Sequence, residues 1–285
     1  QHTIANKPKA VRKLLIAEAR RNVREQLGPL LVVCEATGGY ERPVLEICVE
    51  LGISCHLAHG KRVRDFANYL GVLAKTDPID ARVIALYGLK TEGLRLYQPP
   101  SPETQALKDL QNRRAEILDM LIAEGNRLEH ARHPSVAKTL KVHIASLQRL
   151  RDALEAEIAA LIKSSEVMAR KARLMRSLKG IGPVTVATLL AHMPELGHLS
   201  KGEAAALAGL APINRDSGKA QAPRHVIAGR SAVRRTLYMA AVVALQCNPV
   251  IKAFGRELTK RGKPFKVVAT AVMRKLLITL NAILK

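Results

Sequence analysis

Apolar positions in the first hundred residues alternate between helical spacing and short continuous runs. The apolar run at 30–34 and the short segment at 53–57 predict two strands. Between and around them the spacing is helical, and Asp77 followed by Pro78 is typical of an N-cap and first helical residue. The helices are predicted at 10–26, 43–51, 61–70 and from Asp77 onwards. Helices that alternate with strands predict an α/β domain with at least part of its sheet parallel.

From residue 99 onwards the pattern becomes helical throughout. After a proline-rich linker, leucines and isoleucines recur at alternating three- and four-residue spacing in two series separated by His133-Pro134. Such heptad spacing predicts two long helices, packed as an antiparallel hairpin or as a dimerising coiled coil. We therefore expect an α/β domain at 1–98, a coiled-coil helical hairpin at 99–168 and a compact helical domain at 169–285, a fold of α/β plus all-α class.

Positive charge is concentrated in the last of these segments. The formal net charge is +22, and residues 166–285 carry 21 lysines and arginines against five acids. Such an excess predicts contact with nucleic-acid phosphates. Only 3% of the residues are aromatic and tryptophan is absent, so we expect contact with the backbone and with duplex shape more than base stacking.

Other compositional features predict a cytoplasmic protein. No apolar run approaches the roughly 20 residues that cross a bilayer, so no membrane partner is expected. Cys34, Cys48, Cys55 and Cys247 show no pairing motif and lie mostly in apolar stretches, which is typical of buried thiols in a reducing compartment. With its basic charge, the protein is expected to associate with the nucleoid.

Three acids stand out in this basic chain. Glu35 closes the first predicted strand, and Asp77 and Asp80 lie three residues apart at the start of a predicted helix. Carboxylates in such positions can hold a hard divalent cation. Aspartate is also favoured at helix starts for capping and for the helix dipole, so this pattern by itself leaves a purely structural role open.

Two features of the basic segment are typical of phosphate recognition. Gly180 and Gly182 form a Gly-x-Gly turn that resembles a helix-hairpin-helix motif, although an ordinary tight turn is the alternative. Ser217 lies among arginines and could attack phosphorus while guanidiniums neutralise the charge, but Ser-Gly is also a common turn pair. The residues expected to contact nucleic acid are Lys75, Lys179, Gly180, Gly182, Arg215, Lys219, Arg224, Arg230, Arg234, Arg235, Arg274 and Lys275.

Six stretches spread over the chain carry a family resemblance. They are Glu35 to Tyr40, Lys75 to Arg82, Gly180 to Pro183, Ala208 to Pro212, Asp216 to Gly218, and Arg234 to Ala240. In this order they resemble the DEDD-type insertion-sequence transposases and recombinases, a pilin-gene-invertase-like family guided by bridge RNA or seek RNA.

The resemblance implies a RuvC-like RNase H fold at the N-terminus, a coiled-coil middle and a compact helical transposase domain. It implies that Glu35, Asp77 and Asp80 are three of four acids that hold Mg²⁺, and that Ser217 is the covalent nucleophile. The family's first aspartate lies on an opening strand, whereas no aspartate precedes Asp65 here, so we expect that strand before Gln1. The implied partners are double-stranded DNA, a noncoding guide RNA and further copies of the chain, as a dimer or as a tetramer in the active complex.

We therefore expect a site-specific recombinase that cuts and rejoins DNA through a phosphoserine intermediate. Two other hypotheses fit part of the pattern. One is a metal-dependent RuvC-like junction nuclease that uses water as the nucleophile. The other is a nucleic-acid-binding assembly protein without chemistry, which would leave the three acids as unexplained repulsive charges near bound phosphate.

Overall fold

The structure, a computed structural model, describes residues 3–213, 225–226 and 228–285. The chain divides into two compact units, one ending at Pro100 and the other running from Ser101 to Lys285. Among the described residues no single helix is long and apolar enough to cross a membrane, although two consecutive helices bent by 97° (231–247 and 249–260) reach that length and composition as a pair.

The first unit is built around two parallel strands. β1 (Leu31–Glu35) pairs with β2 (Ser54–Ala58) in a register that places Glu35 opposite Ala58. This pairing confirms the predicted alternation of helices with parallel strands. The helices of this unit are α1 (Pro8–Arg24), α2 (Arg42–Glu50), α3 (Gly60–Tyr69) and α4 (Asp77–Lys90).

The pleat of β1 sends alternate side chains into two small cores. Val32 and Cys34 join the apolar cluster that contains residues of α1 and α2. Val33 joins the cluster formed with α3 and α4, in which Tyr87 is buried. Because Glu35 follows Val33 by two residues, it lies on the face of the sheet that α3 and α4 cover. The RuvC-like character of this unit stays a prediction.

The start of α4 differs from the predicted one. Thr76 occupies the N-cap position without a side-chain cap bond, and Asp77 lies in the first turn of the helix. The Asp80 N–H donates to the Thr76 carbonyl at 2.8 Å. The Asp77 carboxylate therefore does not act as the helix cap that the sequence pattern predicted.

The second unit opens with a helical hairpin. α5 (Pro102–His130) and α6 (Pro134–Ser164) pack against each other and are joined by residues 131–133. The Arg114 guanidinium on α5 pairs with the Glu155 carboxylate on α6 at 2.6 Å, so one polar interruption of the heptads has its partner within the chain. Of the two predicted packings, the structure has the antiparallel hairpin.

In the described part of the second unit, six shorter helices and one small strand pair follow the hairpin. The helices are α7 (Glu166–Arg176), α8 (Pro183–His192), α9 (Lys201–Leu207), α10 (Ser231–Cys247), α11 (Pro249–Lys260) and α12 (Phe265–Ile283). The strands β3 (Pro212–Ile213) and β4 (His225–Val226) pair antiparallel, with Ile213 opposite His225.

One apolar core joins the hairpin to these helices. Leu189 of α8, Leu237 of α10 and Leu276 of α12 are almost fully buried in it. Leu107 and Ile158, from the two helices of the hairpin, belong to the same cluster. The segments predicted at 99–168 and 169–285 therefore share a core and lie in one compact unit.

Candidate active site and nucleic-acid interface

Glu35 lies at the C-terminal end of β1, half-buried against the start of α3. A Cβ atom added to Gly60 would lie 2.6 Å from Oε1 of Glu35, so the glycine leaves the space that the carboxylate occupies. Glu35 makes no side-chain hydrogen bond or ion pair with another described residue. A carboxylate held by packing alone keeps its oxygens available for a ligand.

Asp77 and Asp80 lie in the first turn of α4, where Asp77 is exposed and Asp80 half-buried. Neither carboxylate forms a hydrogen bond or ion pair with any residue that the structure describes. α4 approaches β1 closely at Gly88, where an added Cβ would lie 2.6 Å from Cγ2 of Val33. Since a helix rises 1.5 Å per residue, Asp80 lies about 12 Å along the axis from that contact.

The structure does not gather these acids into a finished metal centre. Within the described part of the chain, no three His, Cys, Asp or Glu side chains are placed to hold one ion. The donor chemistry nevertheless suits Mg²⁺, because all three side chains are carboxylates without protein partners and Mg²⁺ prefers oxygen ligands. The assignment of Glu35, Asp77 and Asp80 as metal ligands stays a prediction.

Glu41, an acid outside the predicted metal-binding set, holds the turn that follows Glu35. Its carboxylate accepts hydrogen bonds from the Thr37 N–H at 3.1 Å, the Thr37 hydroxyl at 3.1 Å and the Gly39 N–H at 2.9 Å. Burial disfavours its charge, but these bonds and one from its own backbone outweigh that effect and lower its pKa. Glu41 is not among the acids predicted from the sequence, and the signal that could have found it is a carboxylate two residues after the Gly38-Gly39 pair, where backbone N–H groups need acceptors.

The predicted nucleophile Ser217 lies outside the described residues, together with Arg215, Lys219 and Arg224. The structure does describe the segments on either side of it. Gly209 and Gly229, with φ of +66° and +74°, approach so closely that a Cβ on either would overlap the other segment's backbone. The Arg230 N–H also donates to the Leu207 carbonyl at 2.8 Å. The segments on either side of Ser217 thus meet in a tight contact of residues 207–209 with residues 228–230, which we call the loop base.

Of three arginines next to this base, two have intramolecular partners. Arg230 donates to the His192 carbonyl and pairs with Glu195 at 2.6 Å. Arg234 donates to the carbonyl of Ala228. Arg235 is exposed and forms no ion pair or hydrogen bond with a described residue. Arg235 is therefore the best placed of the three to contact phosphate, whereas the other two hold the base together.

The Gly-x-Gly turn serves packing at its first glycine. A Cβ on Gly180 would lie 2.6 Å from Cβ of Ala244 on α10, and the Lys179 carbonyl accepts a bond from Asn248 at 3.1 Å. Gly182 has open space around its Cα, and the Lys179 side chain is exposed. The structure thus gives Gly180 a packing role and leaves Gly182 and the Lys179 ammonium accessible.

Three further predicted contacts are cations that have no acidic partner among the described residues. Lys75 is exposed just before α4. Arg274 and Lys275 are half-buried on α12, and the Lys275 ammonium lies 4.3 Å from the centre of the Phe254 ring.

Comparison with known proteins matches both the part of the chain with the three acids and the part with Ser217 to one family. A DEDD transposase model of the IS110 type matches residues 1–131, and a model described as "Transposase IS116/IS110/IS902 family" matches residues 172–256. The chain belongs to the IS110 family of transposases. It is similar to the pilin gene-inverting proteins of Moraxella bovis and Moraxella lacunata, each 28% identical over 268 residues, which is 90% of this chain and 80% of the relative.

The two family matches cover different parts of the candidate chemistry. The match at residues 1–131 contains the three partner-free acids, and the match at 172–256 contains Ser217 and the arginines around its loop base. Membership of the IS110 family identifies the chain as a transposase, an enzyme that acts on DNA.

Proposed function

We propose that this IS110-family protein is a site-specific recombinase that cuts and rejoins DNA through a covalent link to Ser217. The observation that carries the proposal is the set of three carboxylates without protein partners, Glu35, Asp77 and Asp80, in the unit that matches a DEDD transposase. Three carboxylates that repel one another and have no basic partner, although the chain has a net charge of +22, favour a bound cation that would neutralise them. When bound there, Mg²⁺ would supply positive charge against the scissile phosphate.

The proposed step at Ser217 is a phosphoryl transfer. Its Oγ forms a bond to phosphorus, and the bond from phosphorus to the 3′ oxygen breaks. One proton passes overall from the serine hydroxyl to the departing 3′ hydroxyl, so atoms and charge balance. Rejoining reverses the step and conserves the phosphodiester energy. Arg235 supports this role because its guanidinium has no described partner and lies shortly after the loop base.

We also assign to the protein a noncoding guide RNA and a homo-oligomeric active form, as a dimer or tetramer. The basic excess of residues 166–285 supports the binding of more than one nucleic-acid chain. The guide itself rests on the family resemblance. The relatives are named for gene inversion, which requires rejoining at defined sites and fits guidance by base pairing.

The decisive experiment looks for a covalent protein–DNA adduct. Purified protein with its copurifying RNA is incubated with labelled target DNA and Mg²⁺, and adducts are resolved on a denaturing gel. Ser217→Ala should abolish the adduct, and Asp77→Asn with Asp80→Asn should lower its yield at least a hundredfold. Ser135→Ala, an exposed serine at the start of α6, is the matched control and should behave like the wild type.

Each alternative predicts another outcome. Cleavage of DNA without an adduct, and without dependence on Ser217, would identify a water-using junction nuclease. Full recombination by the variant with both Asp77→Asn and Asp80→Asn would show that these two carboxylates take no part in the chemistry. Recovery of only random RNA fragments that dissociate at high salt would argue against guidance.

A further inference from the structure

A basic cleft with an apolar floor opens on the second unit. It has a volume of about 1020 Å³ and lies between α11, α12 and the β3–β4 pair. It adjoins β3 and β4, which flank residues 214–224 in the sequence, and it is lined mainly by residues of α11, α12 and the two strands, with Lys263 from the turn between the helices.

The charges around the cleft have one sign. Lys263, Lys266, Arg274 and Lys275 line it, and no acidic side chain does so among the described residues. None of the four cations forms an ion pair with a described residue. By contrast, Arg261, which directly follows α11, bonds Glu257 at 3.1 Å. Four uncompensated cations around one cleft favour an anionic occupant.

The floor of the cleft is apolar. Val226 of β4 and Val267 of α12 line it while 38% and 49% exposed, and Pro212, Phe254 and Ile278 extend the same surface. A nucleic-acid duplex turns its phosphates outward and keeps the faces of its bases stacked inside, so it could not use such a floor. An unpaired nucleotide offers both a phosphate and an exposed base face.

We propose that this cleft binds unpaired nucleotides, with their phosphates at Lys263, Lys266 and Arg274 and their bases against the apolar floor. The volume is at the upper end of the ~300–1,000 Å³ of small-molecule pockets, so it admits more than one base. The bases contact mainly aliphatic side chains, since the Phe254 ring already carries Lys275 on its face. The inference rests on the proposed function, in that nucleic acid is taken as the substrate.

The test measures binding of the full chain to short labelled oligonucleotides by fluorescence anisotropy. The probes are an eight-nucleotide DNA, the RNA of equal sequence, and a 20-base-pair duplex. Ala271→Phe, which fills the cleft from α12, should weaken single-strand binding about tenfold and leave duplex binding within twofold. Lys263→Gln with Lys266→Gln should weaken single-strand binding by a similar factor and lower the salt slope of single-strand affinity by about 1.4.

Lys252→Gln with Lys260→Gln removes two exposed lysines of α11 that do not line the cleft, and it should leave the preference for single strands unchanged. Thermal melting shows whether each variant is folded. If Ala271→Phe does not fold, Lys263→Gln with Lys266→Gln, which changes two exposed positions, still tests the proposal. Equal losses for duplex and single strand, or no loss in either cleft variant, would overturn the proposal.

The comparison of the DNA and RNA probes shows which source of unpaired nucleotides the cleft prefers. Ser217→Ala separates this inference from the proposed function. Loss of the covalent adduct with intact single-strand binding affects the serine assignment alone. An intact adduct with cleft variants that bind like the wild type overturns the cleft alone.

Discussion

Three cysteines lie in or against the core of the first unit that α1 and α2 cover. Burial, followed by the neighbouring thiols, raises the pKa of Cys34 to about 11 and that of Cys48 to about 12. Burial also raises the pKa of Cys55, although a hydrogen bond from Cys48 opposes the shift. Cys247 on α10 is exposed. The predicted burial of the thiols is thus right for Cys48 and Cys55, only partly right for the half-buried Cys34, and wrong for Cys247.

These environments predict unequal thiol reactivity. Because the thiolate is the reactive form, Cys247 should react rapidly with Ellman's reagent at pH 8 and the other three should react only after unfolding. The measurement is the number of thiols titrated in the first minute, with and without guanidinium. Cys247→Ser should remove the rapid phase, and a second rapid thiol in the native wild type would contradict the assignment.

Glu41 predicts a pH-dependent contribution to stability. Its lowered folded-state pKa means that the ionised form stabilises the turn above its unfolded value, and that this stability is lost as the pH falls through the folded pKa. Glu41→Gln should cost about 1 kcal/mol at pH 7, after allowance for solvent screening, and nothing near pH 2. Hydrogen exchange of the Thr37 and Gly39 amides reports the change locally. Equal protection of these amides in the variant and the wild type at pH 7 would show that the carboxylate does not hold the turn.

At the scale of elements, apolar periodicity predicted the helices and strands but not the contacts between their ends. The strands, the helices and the hairpin follow from apolar spacing, which burial enforces. The close approach of Gly209 to Gly229 does not, because it depends on two backbones that meet across 20 residues of sequence. The Arg114–Glu155 pair is similar: heptads show a polar position, and only tertiary structure supplies its partner.

The loop base gives a prediction with a control in the same region. Gly209→Ala places a Cβ against the Ala228 carbonyl at a φ of +66°, so it should destabilise the second unit by roughly 1–3 kcal/mol. Gly202→Ala, in α9 with open space around it, should be neutral or stabilising by about 0.5 kcal/mol. Thermal melting compares the two. If both variants melt alike, the glycine contact does not hold the base together.

At the scale of the molecule, charge predicted the class of partner but not which cations meet it. The predominance of basic residues in 166–285, with 21 lysines and arginines against five acids, is visible in the sequence. That Arg230 pairs with Glu195, 35 residues earlier, is not, because partner choice depends on how the helices pack. Tertiary structure therefore divides the predicted phosphate ligands into cations held by the protein and cations left for the ligand.

This division predicts opposite effects for two neighbouring arginines. Arg235→Gln should leave the melting temperature unchanged, weaken duplex DNA binding and lower the salt slope of affinity by about 1, because a partner-free guanidinium is lost. Arg230→Gln should cost about 1–2 kcal/mol of stability, because the His192 carbonyl and Glu195 lose their donor, with little change in slope. Melting curves and anisotropy titrations from 50 to about 200 mM salt separate the two quantities. Equal slopes for Arg235→Gln and the wild type would mean that Arg235, although exposed, does not contact DNA.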